Sequence, residues 1–247
     1  MHRAFTEVEQ RPFPLPSFPW VMTQEWEHLL MIHWPVTASL LKKQIPEQLE
    51  LDTFEKTAWI SYVLFQVNDA KIRSLPKIPY LHSFIELNVR TYVTYKGKPG
   101  VYFFSLDANK RPIVFAAKIG ALLPYRFADI AFHQENSGFC FKTKRKHSDR
   151  LKDNFESYYR STSDPFFPSP HSLDYWLLER YCFWTTKGKW VFRGDIHHDK
   201  WKVTTAKAKI VENTMASFLP RSSFQTKPLL HYTSNKKVFA WPIKHVK

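Results

Sequence analysis

The stretch that decides the fold reads ELNVRTYV over Glu86–Val93 and VYFFSLDA over Val101–Ala108, with KGKPG leading into the second run. The first run alternates polar and apolar side chains, which is the two-residue period of a β-strand. The second run is rich in aromatic and β-branched residues, which strands favour. Two glycines and a proline separate the runs, so we predict a β-hairpin.

The polar face of the first strand carries an acid, an amide, a guanidinium and a phenol in one row. Two interpretations are open. The row is either the solvated face of a half-buried strand, or an inward row that lines a polar cavity in a small barrel. In the second case, Ser105 and Asp107 could face the same cavity from the partner strand. The row consists of Glu86, Asn88, Arg90 and Tyr92.

A helix and a sharp exit are predicted directly after the hairpin. Asn109 is a candidate cap, and Pro112 stands in the first turn, where its missing N–H costs nothing. The helix should run from Ile113 to about Leu122, within the usual boundary error of about 2–4 residues. Pro124 ends it and leads into another strand.

Patterns elsewhere indicate more strands and short helices. Alternation predicts strands at Trp26–Trp34 and Ala58–Val67, and Ser172 is a candidate helix cap. Residues 68–83 and 164–171 hold several prolines and little periodicity. We predict that both are long loops, of the kind that often cover a site.

The composition agrees with a strand-rich chain of 247 residues, in which aromatic side chains make up 17% and 17 prolines accompany only 6 glycines. We predict about ten mostly antiparallel strands and three short helices, in a barrel or a strongly bent sheet with the helices packed outside. No repeat or linker divides the chain, so residues 1–247 are treated as one α+β, mainly antiparallel β domain. Residues 1–22 form its irregular, proline-rich arm.

Several stretches carry a resemblance to known families. The hairpin, Trp26–Val36, Leu123–Ala128 and Gly194–Trp201 resemble the YqjF-like family of uncharacterised bacterial proteins, over nearly the whole chain. More distantly, Pro46–Asp52 and the helix ending at Pro124 resemble the acetoacetate-decarboxylase-like superfamily. The resemblance implies a bacterial protein with an acetoacetate-decarboxylase-like fold and an interior pocket.

The resemblance also implies a change in chemistry. Acetoacetate decarboxylase forms a Schiff base through a lysine that an adjacent cation activates. In the superfamily two lysines follow the proline, whereas here Tyr125 and Arg126 follow Pro124. A phenol cannot form an imine, and a guanidinium is too weak a nucleophile at neutral pH. Lys118 is expected to be solvated, and Glu86 matches the active-site glutamate, so the pocket is expected to persist without its nucleophile.

The formal net charge of +14 indicates either an anionic partner or a solubility surface. The lysines are scattered, and the tightest basic cluster spans Lys142–Arg150. No recognisable nucleic-acid-binding motif accompanies it. Binding of nucleic acid or an acidic partner through this surface is therefore an alternative function, ranked below a pocket ligand.

Other residues give weaker signals. His197 and His198 would point to opposite faces of a strand, and no further ligands follow at a typical spacing, so we expect no metal site and no cofactor. Cys140 and Cys182 are expected to be buried small hydrophobes.

No apolar run reaches the roughly 18 residues of a spanning helix, and no signal peptide is visible, so we expect a cytoplasmic protein.

We therefore predict that the protein binds a small, largely apolar carboxylate or carbonyl compound in an interior pocket, without Schiff-base decarboxylation. Arg90 and Arg126 would meet the anion, while Glu86 and Tyr125 would orient it. An enzyme on the same pocket, with Tyr125 or Glu86 as acid or base, is the first alternative. The expected partner is a small molecule, with no specific nucleic acid and no membrane, and a homo-oligomer is left open. The predicted ligand-binding set is Glu86, Asn88, Arg90, Ser105, Asp107, Tyr125 and Arg126.

Overall fold

The computed structural model describes residues 2–145 and 153–246. Within these ranges it contains thirteen strands, three α-helices and two short 3-10 turns. The strands are β1 Met22–Val36, β2 Glu50–Leu51, β3 Ala58–Ile72, β4 Phe84–Tyr95, β5 Lys98–Ala108, β6 Tyr125–Glu135, β7 Gly138–Arg145, β8 Asn154–Ser161, β9 Cys182–Lys187, β10 Trp190–His197, β11 Thr204–Asn213, β12 Leu229–Ala240 and β13 Lys244–Val246. The helices are α1 Ala38–Lys42, α2 Arg111–Gly120 and α3 Leu173–Leu178, and the 3-10 turns are Arg3–Thr6 and Arg221–Phe224.

All thirteen strands belong to one mixed, strongly bent sheet. Strands β1, β3, β4, β5, β9, β10 and β12 pair in a ring, since β12 pairs again with β1. The β5–β9 and β10–β12 ladders contain only two residue pairs each, so the ring is not a regular barrel. Strands β6, β7, β8 and β11 form a second layer that joins β5 at one end and β12 at the other. The predicted class, a mainly antiparallel bent sheet with short helices, is confirmed.

The predicted hairpin is the β4–β5 pair. Its two-residue turn is Lys96-Gly97, and both residues have positive φ, of 49° and 70°. Positive φ at both positions is the requirement of a type I′ turn, which matches the twist of paired strands. The rest of the glycine- and proline-rich stretch therefore lies inside β5 rather than in the turn.

Strand β4 is buried on both faces. Leu87 and Val89 pack with Phe141 and Phe155 of the second layer. Tyr92, on the opposite face, packs in a separate core with residues of α2 and α3, which we call the ring core. The second layer covers the core around Leu87 and Val89. The ring core therefore lies against the opposite face of β4. The polar row therefore faces the protein interior, and its interpretation as a solvated face is wrong.

Several local predictions need correction. Strand β1 continues through Pro35, and β3 continues to Ile72, which shortens the predicted loop. Asn109 does not cap α2, because its Oδ1 accepts a hydrogen bond from the Ile85 N–H at 2.9 Å. Lys110 stands at the N-cap instead.

No helix among the described residues is long and apolar enough to cross a membrane.

The cap predicted at Ser172 is confirmed. The Ser172 Oγ accepts a hydrogen bond from the Tyr175 N–H at 3.2 Å, and α3 begins at the next residue. The N-terminal arm is also irregular, as predicted, apart from the turn at Arg3–Thr6. It is anchored where Ala4 packs with Phe239 and Trp241.

Candidate functional site

The first part of the site is a carboxyl group held between a phenol and an amide. The Tyr125 Oη donates to Glu86 Oε2 at 2.7 Å, and the Asn88 Nδ2 donates to Glu86 Oε1 at 3.2 Å. Glu86 and Asn88 are each only 4% exposed. Burial raises the pKa of Glu86 from its ordinary 4.5 to about 7, although the bonds from Tyr125 and Asn88 act in the opposite direction. This carboxyl group therefore changes its protonation near neutral pH.

Strand register explains why these side chains meet. Asn88 on β4 is paired with Leu106 on β5, and Leu106 is paired with Tyr125 at the start of β6. Paired residues project to the same face of a sheet, so all three point into the ring core. The helix exit at Pro124 places Tyr125 as the first residue of β6. The structure thus brings Glu86, Asn88 and Tyr125 of the predicted set together in the interior, and their binding of a ligand stays a prediction.

The second part of the site is the guanidinium of Arg90. Burial lowers the pKa of Arg90, and the neighbouring Tyr92 opposes this effect. In the part of the chain that the structure describes, Arg90 forms no ion pair with a carboxylate, and its buried Nε has no hydrogen-bond partner. Successive members of the row are two positions apart on β4, so Arg90, four residues from Glu86, lies about 13 Å from it along the strand.

A third group, which sequence reasoning missed, joins Arg90 in the ring core. Ser61 Oγ lies 2.6 Å from His33 Nδ1 and 2.7 Å from Tyr92 Oη. Burial holds the pKa of His33 well below its usual value, and His231 and Arg90 lower it further. His33 is therefore a neutral imidazole. Its Nε2 finds no hydrogen-bond partner among residues 2–145 and 153–246.

A second histidine and a second arginine complete this group. His231 Nε2 lies 3.2 Å from Asp174 Oδ1, and the His231 ring stands edge-on to the His33 ring at 5.3 Å. Arg180, after α3, pairs with Asp52 through Nη1 at 2.6 Å. The Arg180 guanidinium also lies 5.0 Å from the Tyr92 ring centroid. Helix α3 and the segment after it thus bring an acid and a cation to the ring core.

Several polar atoms of this region are buried without a partner. Each such atom costs about 1–3 kcal/mol relative to a satisfied one, so water or a ligand is expected to complete them. They supply both donors and acceptors. Within the described ranges they include His33 Nε2, Trp59 Nε1, Asn88 Oδ1, Arg90 Nε, Arg180 Nη2, Trp201 Nε1 and His231 Nδ1.

Two predicted site residues lie elsewhere. Ser105 is paired with Val89, and Asp107 with Leu87, so both face the second layer instead of the polar row. Both are bound by Arg145, whose Nε donates to Asp107 Oδ1 at 2.8 Å and whose Nη2 donates to Ser105 Oγ at 2.5 Å. The expectation that they share the cavity with Glu86 is therefore wrong.

Arg126 is also separated from the polar row. It is exposed, and its partner in the parallel β5–β6 ladder is Asp107, on the face opposite to Tyr125. Consecutive residues of a strand point to opposite faces, so Tyr125 and Arg126 cannot both enter the ring core. Lys118 is exposed on α2, as predicted.

The basic cluster is smaller than its sequence suggests. Arg145 is 9% exposed, and its Nη1 also donates to Asp153 Oδ2 at 2.6 Å. Lys142 pairs with Glu156 at 2.7 Å. Lys144 is exposed, and the other charged members, Lys146, Asp149 and Arg150, lie outside the described residues.

The adjacent histidines and the two cysteines are buried. His197 Nε2 lies 2.7 Å from the Ala4 carbonyl oxygen, and His198 Nδ1 lies 2.8 Å from the Asp199 carbonyl oxygen. These contacts fit the structural role that sequence reasoning favoured for both histidines. Cys140 and Cys182 are buried free thiols, as predicted.

Comparison with known proteins gives matches along most of the chain. Residues 23–237 match the family DUF2071, described as an uncharacterized conserved protein. The chain is 41% identical over 236 residues to the uncharacterized protein YqjF of Bacillus subtilis (strain 168), covering 96% of this chain and 97% of that protein.

Two solved structures with low sequence identity are similar in fold. One is acetoacetate decarboxylase from Legionella pneumophila subsp. pneumophila str. Philadelphia 1, with a TM-score of 0.63 and 13% identity over 98% of this chain and 94% of that chain. The other is the enduracididine biosynthesis enzyme MppR complexed with pyruvate, with a TM-score of 0.61 and 10% identity over 96% of this chain and 93% of that chain. The acetoacetate-decarboxylase-like fold is therefore confirmed.

Proposed function

Because the chain belongs to the DUF2071 family of YqjF-like, uncharacterized conserved proteins, we propose a function from its own interior site. The protein binds a small, largely apolar carboxylate or carbonyl compound in the ring core, without forming a Schiff base. The observation that carries this proposal is the half-buried Arg90 side chain, whose buried Nε has no hydrogen-bond partner and whose guanidinium has no carboxylate partner among the described residues.

An anionic ligand would balance this charge. Burying an ion without a counter-ion costs several kcal/mol, and a hydrogen-bonded anion offsets that cost. The second guanidinium nearby, Arg180, is already balanced by Asp52, yet its Nη2 has no partner within the described ranges. One carboxylate could therefore accept charge-assisted hydrogen bonds from Arg90 and Arg180.

The other end of the row supports a ligand with a second oxygen. Tyr125 and Glu86 offer a donor and a titrating carboxyl group, while Asn88 between the two ends has an unpartnered Oδ1 among the described atoms. Apolar side chains such as Met31 and Phe65 belong to the same core. MppR, of similar fold, has been solved complexed with pyruvate, a small oxo carboxylate, which agrees with this ligand class.

The test compares the ligand affinities of two arginine variants of the same protein. Pyruvate and acetoacetate are titrated into the purified chain, and binding is followed by calorimetry and ligand-observed NMR. Arg90→Met should weaken binding by about 10–100-fold, because a hydrogen bond to a charged group contributes about 1.5–3 kcal/mol. Arg126→Met is the matched control, since that exposed side chain lies on the opposite face. Equal affinities of both variants, or no binding by the wild type, would refute the proposal.

A second candidate function, proton transfer, is supported by one specific observation. Glu86 is hydrogen-bonded to Tyr125 and its pKa is raised to about 7, which suits a general acid or base at neutral pH. The reaction would be exchange of a proton on a carbon adjacent to a carbonyl. Incubation with pyruvate in deuterium oxide should then give methyl deuteration above the uncatalysed rate, and Glu86→Gln should abolish it. Exchange at the uncatalysed rate leaves binding as the function.

A further inference from the structure

The outer face of the β6–β7 hairpin gathers three side chains that bind metals. His133 on β6 is paired with Cys140 on β7, and Glu135 is paired with Gly138 at the turn. Directly paired residues, and residues two apart on a strand, project to the same face. An imidazole, a carboxylate and a thiol therefore stand together, on the face opposite to the buried aromatic core.

The distances are close to those of a coordination site. One ligand atom from each of His133, Glu135 and Cys140 lies within 4.8 Å of the others. His133 Nε2 is 2.7 Å from Glu135 Oε1. In a tetrahedral zinc site, bonds of about 2.0–2.3 Å place neighbouring ligand atoms roughly 3.3–3.8 Å apart. The His133–Glu135 pair, joined by nitrogen and oxygen, must open by about 0.6 Å, a change that side-chain rotation can supply.

We propose that His133, Glu135 and Cys140 form a zinc-binding site with three protein ligands and one open position. Nitrogen, carboxylate oxygen and thiolate sulfur are the donors that Zn²⁺ takes in proteins. A thiolate ligand disfavours Mg²⁺ and Ca²⁺, which prefer oxygen donors only. Three protein ligands with an open fourth position leave room for a water molecule or an anion.

The surroundings of the hairpin support the site. Tyr158 on β8 is paired with Cys140, so it projects to the same face of the sheet beside the thiol, in the position of an outer-shell group. Lys142, the next outward-facing residue on β7, is held by Glu156 at 2.7 Å. Its positive charge is therefore balanced, although the whole chain carries a net charge of +14. The Cys140 side chain is 5% exposed, so the sulfur is shielded while the other two ligands stay accessible.

This site is independent of the interior site. His133 and Glu135 lie at the far end of β6 from Tyr125 and project outward, whereas Tyr125 points into the ring core. A failure of either proposal leaves the other unaffected.

The experiment uses the full chain after removal of metals with a chelator. Co²⁺ is titrated in and followed by absorption spectroscopy, and Zn²⁺ is then added as competitor. We expect one equivalent of Co²⁺ to give the visible bands of a tetrahedral site and a thiolate-to-cobalt charge-transfer band, both lost on addition of Zn²⁺. Cys140→Ser should remove the charge-transfer band. Cys182→Ser is the matched control, because that buried thiol lies on β9 and should leave the spectrum unchanged.

Variants at two exposed ligand positions keep the test decisive if substitution of the buried Cys140 prevents folding. His133→Asn and Glu135→Gln change half-exposed side chains, so both variants should fold. Loss of an outer-shell partner alone costs about 10–100-fold in metal affinity, so each ligand substitution should weaken Zn²⁺ binding by at least about tenfold. The proposal is overturned by the absence of saturable binding near one equivalent, by a charge-transfer band that persists in Cys140→Ser, or by unchanged affinity in both exposed variants.

Discussion

Tyr125 donates a 2.7 Å hydrogen bond to Glu86, although the two residues come from β6 and β4, and β5 runs between these strands. The residue of β5 paired with Glu86 is Ala108, whose small side chain leaves room for the contact. The Tyr125 phenol therefore reaches a carboxyl group whose pKa is raised by burial to about 7. This pair lies at one end of a polar row, and the Arg90 guanidinium, which has no carboxylate partner in the described part of the chain, lies toward the other.

The titration of Glu86 should appear in the stability of the protein. Its pKa is raised in the folded state to about 7, above the ordinary 4.5, so its stabilising contribution is present below about pH 4.5 and is lost as the pH rises through 7. Between pH 5 and pH 8 the wild type should lose about 2–3 kcal/mol of unfolding free energy relative to Glu86→Gln. Urea denaturation of both proteins at the two pH values measures this difference. Parallel pH profiles would contradict a raised pKa.

The Schiff-base lysine of the decarboxylase pattern is replaced in this chain, so we predict the outcome of a trapping experiment. Tyr125 follows Pro124 where the decarboxylase pattern has a lysine, and Lys118 is exposed on α2. Borohydride reduction in the presence of acetoacetate should therefore leave the intact mass of the protein unchanged. Lys118→Ala serves as the control for non-specific reduction. A stable adduct that maps to Lys118 and disappears in this variant would show that Schiff-base chemistry persists.

The Arg145 cluster should contribute to stability rather than to binding. Its guanidinium joins Asp107, Asp153 and Ser105 between β5 and the second layer, where all four side chains are buried. Arg145→Met should lower the unfolding free energy by about 3–5 kcal/mol, because two buried acids lose their counter-ion. Arg126→Met, at an exposed position, should change it by less than about 0.5 kcal/mol. Chemical denaturation distinguishes the two, and equal effects would mean that the cluster is not stabilising.

Nucleic acid is not expected to be the main partner. Arg145 is buried and Lys142 is paired, so the described part of the basic cluster offers less free charge than its sequence suggests. Random DNA and RNA oligonucleotides, followed by fluorescence anisotropy, should bind more weakly than about 1 μM at 150 mM salt, with affinity falling steeply as salt increases. Sub-micromolar binding that persists at this salt concentration would reverse the order of the proposed functions.

Local patterns in the sequence were sufficient for the elements of the fold. Strict alternation over Glu86–Val93 predicted β4, and the glycine- and proline-rich stretch Lys96–Gly100 predicted the hairpin. Ser172 predicted the start of α3. Each of these signals depends on residues a few positions apart, so the sequence contains them without reference to the rest of the chain. The polar row was visible for the same reason.

What the sequence did not determine is which strand faces meet. Ser105 and Asp107 were predicted beside Glu86, but a register shift of one residue moves a side chain to the opposite face of the sheet. His33, Ser61 and His231 lie on three strands that are distant in sequence, and no local pattern links them.

Closure of the ring through short ladders brings those strands together, and it turns one face of β4 toward the interior. The sequence by itself thus determined that a hairpin with a polar row would form. The tertiary structure alone decided that the row is buried, that Tyr125 completes it, and that Arg126, Ser105 and Asp107 do not. The physical reason is that burial and partner choice depend on long-range strand pairing, whereas alternation and turns depend on neighbouring residues.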